Sequence, residues 1–279
     1  MALYAKAALY NSDWATAEAK ANQVIQAGVY HLMPDVRDVY LLSKEDAARQ
    51  ENMWAFESES GTPGRYQSLS NLTAPATGPS PTYGPAGSGS LFVYQAFFNS
   101  FAPADKRRLL LDTVYVTSAN VTIHQKSITP ITPQGVLIKK YCDPAPIAAG
   151  KSASNIPILR LADVYLIAAE AEARQNGATP AAYNFVLPVR QRAGLANLPA
   201  GLSNDDFINA ILQERSWEFF GEGDRWYDLT RTNTFLTVIP KAVNNVYPTR
   251  QPLARNRYFP IPLDEIHANP ELTQNPDWQ

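Results

Sequence analysis

Two helical hairpins, set about 130 residues apart by irregular, turn-rich sequence, constrain the fold of this chain more than anything else in it. The later one carries the stronger signal. Residues 158–175 place Leu159, Ala162, Leu166, Ala169 and Ala173 on one side at helical spacing, pair Glu170 with Arg174 one turn apart, and stop at Gly177. Thr179 then caps a partner helix whose first residue is Pro180, a position where the missing N–H costs nothing. Pro188, about two turns further in, is expected to kink or end that helix locally. At the start of the chain, residues 1–11 put Leu3, Ala7, Ala8 and Tyr10 close to helical spacing. Asp13 reads as the N-cap of a second helix, Trp14 to Ala27, stopped by Gly28. Ala17 and Ala21, one turn apart, let a neighbouring backbone approach, and the pair resembles a tetratricopeptide-type hairpin.

Between the hairpins, residues 53–56 read as extended, and residues 61–90 concentrate Gly, Pro, Ser and Thr around Tyr66 and Tyr83. A loop of that length tends to be functional, so it is the first place to look for ligand contacts. The run LFVYQAFFNSF at 91–101 is strongly aromatic, and Asp105, Lys106, Arg107 and Arg108 follow as a small charged cluster. Residues 113–117 and 136–141 read as short strands that form a small sheet or hairpin. A further helix is expected from Ser203, with Asp206 completing a variant capping box and Phe207, Ile208, Ile211, Leu212, Arg215 and Phe219 along one stripe, ending at Gly221 or Gly223. A short helix at 225–231 precedes a proline-rich, irregular tail from Thr234 to Gln279. The expected fold is mainly α, with helical hairpins, long irregular loops and a small β element. It is organised as one domain, 1–279, with a hairpin at 1–52, a variable loop and short-strand region facing ligand at 53–157, and a scaffold at 158–279.

Charge and composition exclude several function classes. With 24 Lys and Arg against 26 Asp and Glu, a formal charge of -2, nucleic acid and other polyanions are poor partners. The 22 prolines and 14 tyrosines instead suggest ordered loops and amphipathic rings, which favour a binding surface. Cys142 is the only cysteine, so no intrachain disulfide or thiolate cluster can form; beside Asp143 and Pro144 it reads as a small turn residue rather than a nucleophile. His31, His124 and His267 lie far apart without metal-ligand spacing, and no Walker loop, G-x-G-x-x-G turn or G-x-S-x-G elbow occurs. No metal or cofactor is expected. No apolar run reaches the ~18 residues of a membrane-spanning helix, and the first residues lack the features of a signal peptide.

The densest polar constellation runs from Glu214 to Arg231 and alternates acids and arginines with aromatics: Glu214, Arg215, Glu218, Glu222, Gly223, Asp224, Arg225, Trp226, Asp228 and Arg231. A catalytic reading needs two carboxylates whose environments push their pKa values apart across a cleft. Arg215 and Glu218 are three apart, as are Arg225 and Asp228, the spacing of ordinary intrahelical ion pairs, so the structural reading is preferred.

Taken in order, Ile158, Arg160, Asp163 and Glu170, then Arg190, Arg192 and Gly194, then Glu214 through Arg231, then the tail Tyr258-Phe-Pro260-Ile261-Pro262 with Asn269-Pro270 and Gln274-Asn275-Pro276, resemble the C-terminal portion of the SusD/RagB family. Upstream, Gly28-Val-Tyr30 and Asp105-Lys-Arg107 are similar to further elements of that family. The resemblance implies a SusD-like α/α fold. It also implies a non-enzymatic, surface-exposed outer-membrane lipoprotein that captures oligosaccharides or other nutrients and passes them to a SusC-like, TonB-dependent barrel. Family members usually carry a lipoprotein signal, a lipidated cysteine and a longer helical segment ahead of this region, so the chain reads as N-terminally truncated. The quoted motifs are expected to be scaffold. For glycan contacts the expected residues are Arg65, Tyr66, Tyr83, Phe92 and Tyr94, because they sit in or beside the long loop rather than on a helix stripe. A helical-repeat scaffold binding protein is the alternative, but two hairpins so far apart give no constant period; a glycoside hydrolase ranks last.

Overall fold

A computed structural model of the chain describes residues 1–59, 64–124, 135–148, 150–243 and 251–278; the opening of the long loop at 60–63 lies outside them. The described helices are α1 (Ala2–Tyr10), α2 (Trp14–Ala27), α3 (Glu45–Ala48), α4 (Leu69–Thr73), α5 (Gln95–Ser100), α6 (Leu161–Asn176), α7 (Pro180–Arg192), α8 (Asn204–Glu218), α9 (Asp224–Arg231), α10 (Phe235–Val243) and α11 (Leu263–Ala268). The strands are β1 (Asn52–Phe56), β2 (Phe92–Tyr94), β3 (Leu111–Asp112), β4 (Val114–Val116), β5 (Thr122–His124), β6 (Gly135–Ile138) and β7 (Ile156–Arg160). They form three small antiparallel sheets, β1-β7, β2-β6-β3 and β4-β5. The chain divides into two compact units, Met1–Arg225 and Trp226–Gln279.

In the first unit the helix ends follow local chemistry. Asp13 Oδ1 accepts from the Thr16 N–H at 3.1 Å, Thr179 Oγ1 from the Ala182 N–H at 3.2 Å, and Ser203 Oγ from the Asp206 N–H at 3.2 Å. Each satisfies one of the amides that a helix start leaves unpaired. Gly28 closes α2 at φ +62°, a left-handed conformation that glycine adopts without a Cβ clash.

Around these ends, α6 is the central element. Twelve of its sixteen residues are buried, which is why its apolar positions run all round rather than in one stripe. Val164, Ile167, Ala168 and Ala171 share a core with Ala5, Ala8 and Leu9 of α1 and Ala17 and Ala21 of α2. Ala162, Leu166, Ala169 and Ala173 share another with Ala182, Val186 and Val189 of α7 and with Phe207, Ile208 and Ile211 of α8. The small residues on α2 and α6 permit that close approach. The two hairpins are therefore one packed body.

Several elements differ from the sequence reading. The helix expected from residue 158 begins at Leu161, because Ile156 to Arg160 is strand β7 paired with β1; β-branched Ile156 and Ile158 around Pro157 suit a ribbon better than a first helical turn. The long loop contains α4. The two expected strands do not pair with each other: β4 pairs with β5, and β6 lies between β2 and β3. Because β6 is central, all four of its residues are buried, and it reads as an apolar run without alternation. Helix α7 continues through Pro188, with Val186, Val189 and Arg192 buried on both sides of it, so packing outweighs the lost hydrogen bond. Helix α8 ends at Glu218, a turn earlier than the glycines.

In the second unit, the tail expected to be irregular contains α10, which continues through Pro240, and α11. Trp226 meets the edges of Phe235 and Phe259, with ring centroids 5.8 and 6.4 Å away. Gln274 clips residue 261, accepting from the Ile261 N–H at 2.8 Å and donating to its carbonyl at 2.9 Å, and Asn275 Nδ2 donates to the Phe259 carbonyl at 2.7 Å. The tail motif thus acts through side-chain-to-backbone bonds. Asp228 pairs with Arg231 at 2.7 Å.

Candidate functional site

The loop region is fixed to the helical body by a buried set of charges. Arg107, Lys140, Arg160, Arg190 and Arg192 face Glu51, Asp105, Glu214, Glu218 and Glu222. Arg160 spans three acids, with Glu51 at 2.7 Å, Glu218 at 3.0 Å and Glu222 at 2.9 Å. Arg192 reaches Glu51 at 2.7 Å and Glu218 at 2.5 Å, and Arg107 reaches Asp105 and Glu214, each at 2.7 Å. Lys140, just past β6, sits 2.7 Å from Glu222 and beneath the rings of Tyr40 and Phe220. Burial opposes ionisation of Glu218, but Arg192, Arg160 and Arg107 outweigh it and hold its carboxyl well below the usual range. Burial lowers the Lys140 ammonium to about 8 against the pull of Glu222.

One expected ion pair is corrected by the partners observed. Arg215 does not pair with Glu218 one turn on; it reaches across to Asp163 on α6 at 2.7 Å. Asp163 also takes Lys6 of α1 at 2.9 Å, and Lys6 bridges to Asp224 at 2.6 Å. Arg225 donates to the Leu212 carbonyl at 3.1 Å. Glu170 does pair with Arg174, at 3.1 Å. Gly194 turns at φ +78° against Lys106, and Gly223 turns at φ +94°.

Anchored by this set, two loop walls face each other, residues 64–74 on one side and residues 143–148 and 150–154 on the other. Gln67 pairs with Ser152 backbone to backbone, and its amide donates to Ser154 Oγ at 2.6 Å while its carbonyl accepts from the Ser70 N–H. Ser154 and Ser152 hydroxyls share a 2.9 Å bond, and Ser152 donates to Asp143 Oδ2 at 2.6 Å. The chain of buried polar groups pre-organises both walls. A third loop closes on them: a Cβ at Gly84 would collide with the Asp143 carbonyl, and one at Gly87 with the Asn71 carbonyl.

Where the three meet lies a dimple lined by Ser70, Asn71, Tyr83, Asp143, Pro146 and Gly150, among others, with room for about one water-sized group. Beside Gly150, Lys151 lies 4.6 Å over the ring of Tyr66. Arg65 pairs with Glu59 at 3.2 Å, and its carbonyl accepts from the Glu59 N–H at 2.7 Å. Tyr66 and Lys151 thus stand next to the pocket at Gly150, with Arg65 adjacent to Tyr66 in the chain, and none of the three lines it.

The structure divides the expected ligand residues. Arg65 and Tyr66 lie on the 64–74 wall beside the pocket, without lining it. Tyr83 is only 2% exposed and backs the pocket from the core, its hydroxyl donating to Asp112 at 3.0 Å and its ring edge-on to Tyr115; it offers no ring face. Phe92 and Tyr94 are half-buried on β2, edge to face at 5.8 Å, and do not line the pocket. Replacing Tyr83 by Phe is expected to cost ~1.5–3 kcal/mol of stability in urea denaturation, the value of a hydrogen bond to a carboxylate, with ligand affinity unchanged. Asn71, Asp143 and Lys151 escaped sequence reasoning, because only the folding of the second wall back onto the first brings them together.

Among known proteins, the SusD family model matches residues 111–278. A SusD-like protein of Formosa agariphila is 38% identical over 126 residues, which is 43% of this chain and 24% of that protein. The crystal structure of a SusD superfamily protein from Parabacteroides distasonis superposes with a TM-score of 0.80 at 23% identity, covering 98% of this chain and 61% of that one. Surface glycan-binding protein A from Bacteroides thetaiotaomicron, solved in complex with laminarihexaose, superposes with a TM-score of 0.79 at 25% identity, covering 98% of this chain and 62% of that one. The chain thus spans about three fifths of the length of these solved structures, and the match to the curated relative about a quarter of that protein.

Proposed function

The chain belongs to the SusD family, and on that premise we propose that it captures oligosaccharides at the cell surface without cleaving them. The observation that carries the reading is the loop face, where a half-buried tyrosine, an amide and two cations stand on walls locked by buried hydrogen bonds around a shallow pocket. A sugar presents an apolar face that packs on an aromatic ring and hydroxyl edges that bond such polar groups. The similar protein solved with laminarihexaose supports the same ligand class. Support for a non-catalytic role comes from Glu214, Glu218 and Glu222, each buried and tied to arginine or lysine. Such carboxylates are committed to cationic partners rather than placed to exchange a proton with substrate.

In the cell, delivery to a SusC-like, TonB-dependent barrel and attachment to the outer membrane by a lipid belong to this proposal. Calorimetric titration of the chain against a panel of plant, fungal and host oligosaccharides, with a parallel assay for new reducing ends, tests it. Binding without product is expected, with Tyr66→Ala weakening it about tenfold, as loss of ~1–1.5 kcal/mol of ring contact implies. Release of product would overturn the capture reading.

A further inference from the structure

The two loop walls meet at one backbone bridge, and its geometry sorts their side chains. Gln67 and Ser152 pair at the bridge and are both buried. Side chains alternate along extended backbone, so the neighbours Tyr66 and Lys151 point to the opposite, outer side together. Their contact agrees with this, since the Lys151 ammonium lies 4.6 Å from the centroid of the Tyr66 ring. The root of Lys151 is held as well. Its N–H donates to the Ala148 carbonyl at 2.9 Å, and Gly150 before it takes φ +70°.

Charge on these loops is sparse, which makes the position of each charged group informative. Residues 64–90 and 143–154 hold three charged side chains, Arg65, Asp143 and Lys151. Asp143 is buried and accepts from the Ser152 hydroxyl at 2.6 Å and from the Ala145 N–H at 3.0 Å. Arg65 pairs with Glu59 at 3.2 Å. Lys151 is exposed and meets a ring instead of a carboxylate. Among the described residues no acid pairs with it, and the residues outside them contain no Asp or Glu. The uncompensated charge of the two walls is therefore one cation, set on the ring that the capture reading gives to the sugar. A neutral sugar that packs on the covered side of Tyr66 displaces the ammonium from its cation–π contact and offers it no counter-charge. A sugar bearing a carboxylate or sulfate displaces it into an ion pair, with charge-assisted hydrogen bonds from its N–H groups. The ring and its cation together favour an acidic ligand.

We propose that Lys151 determines specificity by selecting an acidic oligosaccharide, one that carries a uronate or sulfate group on or beside the sugar unit packed against Tyr66. The assignment rests on the capture function proposed above and adds the charge of the ligand. The test is calorimetric titration of the intact chain at low salt, with each acidic glycan of the panel set against its neutral counterpart. Oligogalacturonides are paired with their methyl esters, which reports a carboxylate, and sulfated galactan oligosaccharides with the same chains desulfated, which reports a sulfate. At least one acidic member is expected to bind about tenfold more tightly than its counterpart, as one hydrogen bond to a charged group implies. That preference should fall to about twofold or less near ~0.5 M salt, where screening is strong. Lys151→Met keeps the apolar stem and removes the charge, so it should bind both members of a pair with similar affinity, while Lys151→Arg should keep the preference. Melting temperatures of both variants, expected to match wild type, exclude misfolding. Equal affinity of wild type for acidic and neutral members, a preference that survives in Lys151→Met, or an equal loss for both members in that variant overturns the assignment. Binding of neutral glycans alone also overturns it and leaves the capture function standing. Failure to bind any glycan, acidic or neutral, overturns the capture function itself.

Discussion

Glu218→Ala is expected to lower stability by ~3–5 kcal/mol and the melting temperature on the order of 10 °C. Glu218 faces three buried guanidinium groups, Arg192 at 2.5 Å, Arg160 at 3.0 Å and Arg107 at 3.5 Å. Removing the carboxylate leaves those cations desolvated with one acid fewer than they need, and an uncompensated buried charge costs more than the intact pair ever contributed. Arg37→Ala offers the contrast, because Arg37 and its partner Asp35 are both partly exposed; there the expected change is below about 1 kcal/mol. Below its melting temperature the Glu218 variant should bind oligosaccharide as wild type does. A Glu218→Ala protein that melts with wild type but no longer binds would reverse the division between scaffold and ligand face.

Acid should unfold the protein through the same groups. Burial disfavours the ionised forms of Glu218, Glu222 and Asp163, but their cationic partners outweigh it and hold all three below their ordinary values, Asp163 falling from 3.8 to about 2 under Arg215 and Lys6. The unfolded chain therefore takes up protons first as pH falls. Stability from these carboxylates is complete above their ordinary values, near 4.5 for Glu and 3.8 for Asp, and is lost progressively as pH drops toward about 2. Asp224 acts in the opposite sense, since burial and neighbouring Asp163 raise it, and it offsets part of the loss. Lys140, lowered from 10.5 to about 8, makes stability rise as pH climbs through that interval, because the unfolded chain then holds the extra proton. Urea midpoints measured from pH 2 to 7 should show a steep acid limb in wild type and a shallower one in Glu218→Gln. Equal limbs would remove Glu218 from the acid response.

How far the candidate site could be read from residues alone depends on the range of the forces involved. Arg65 and Tyr66 were singled out because a turn-rich loop announces itself by composition. Tyr83 has the same composition around it, yet its ring sits inside with Ala74, Tyr115 and Leu137; nothing within several residues of it shows which way the ring points. Trp54 and Phe56 were visible as an extended stretch, but their exposure depends on what the rest of the chain packs against that stretch. Likewise, Arg215 and Glu218 satisfy the spacing rule for a helical ion pair, and both take partners from other elements because a buried carboxylate gains more from several guanidinium groups than from one neighbour on its own helix.

Features closed within about one turn of chain followed from residue chemistry directly. Asp13, Thr179 and Ser203 cap their helices, Gly28 ends one, and Glu170 meets Arg174, since each needs only a partner three or four positions away. The docking of the first hairpin onto α6, the pairing of β1 with β7, the threefold sharing of Glu218 and the inward turn of Tyr83 were decided by tertiary structure. Those contacts join residues up to about 150 positions apart, and burial and charge compensation select them only once the whole chain has collapsed.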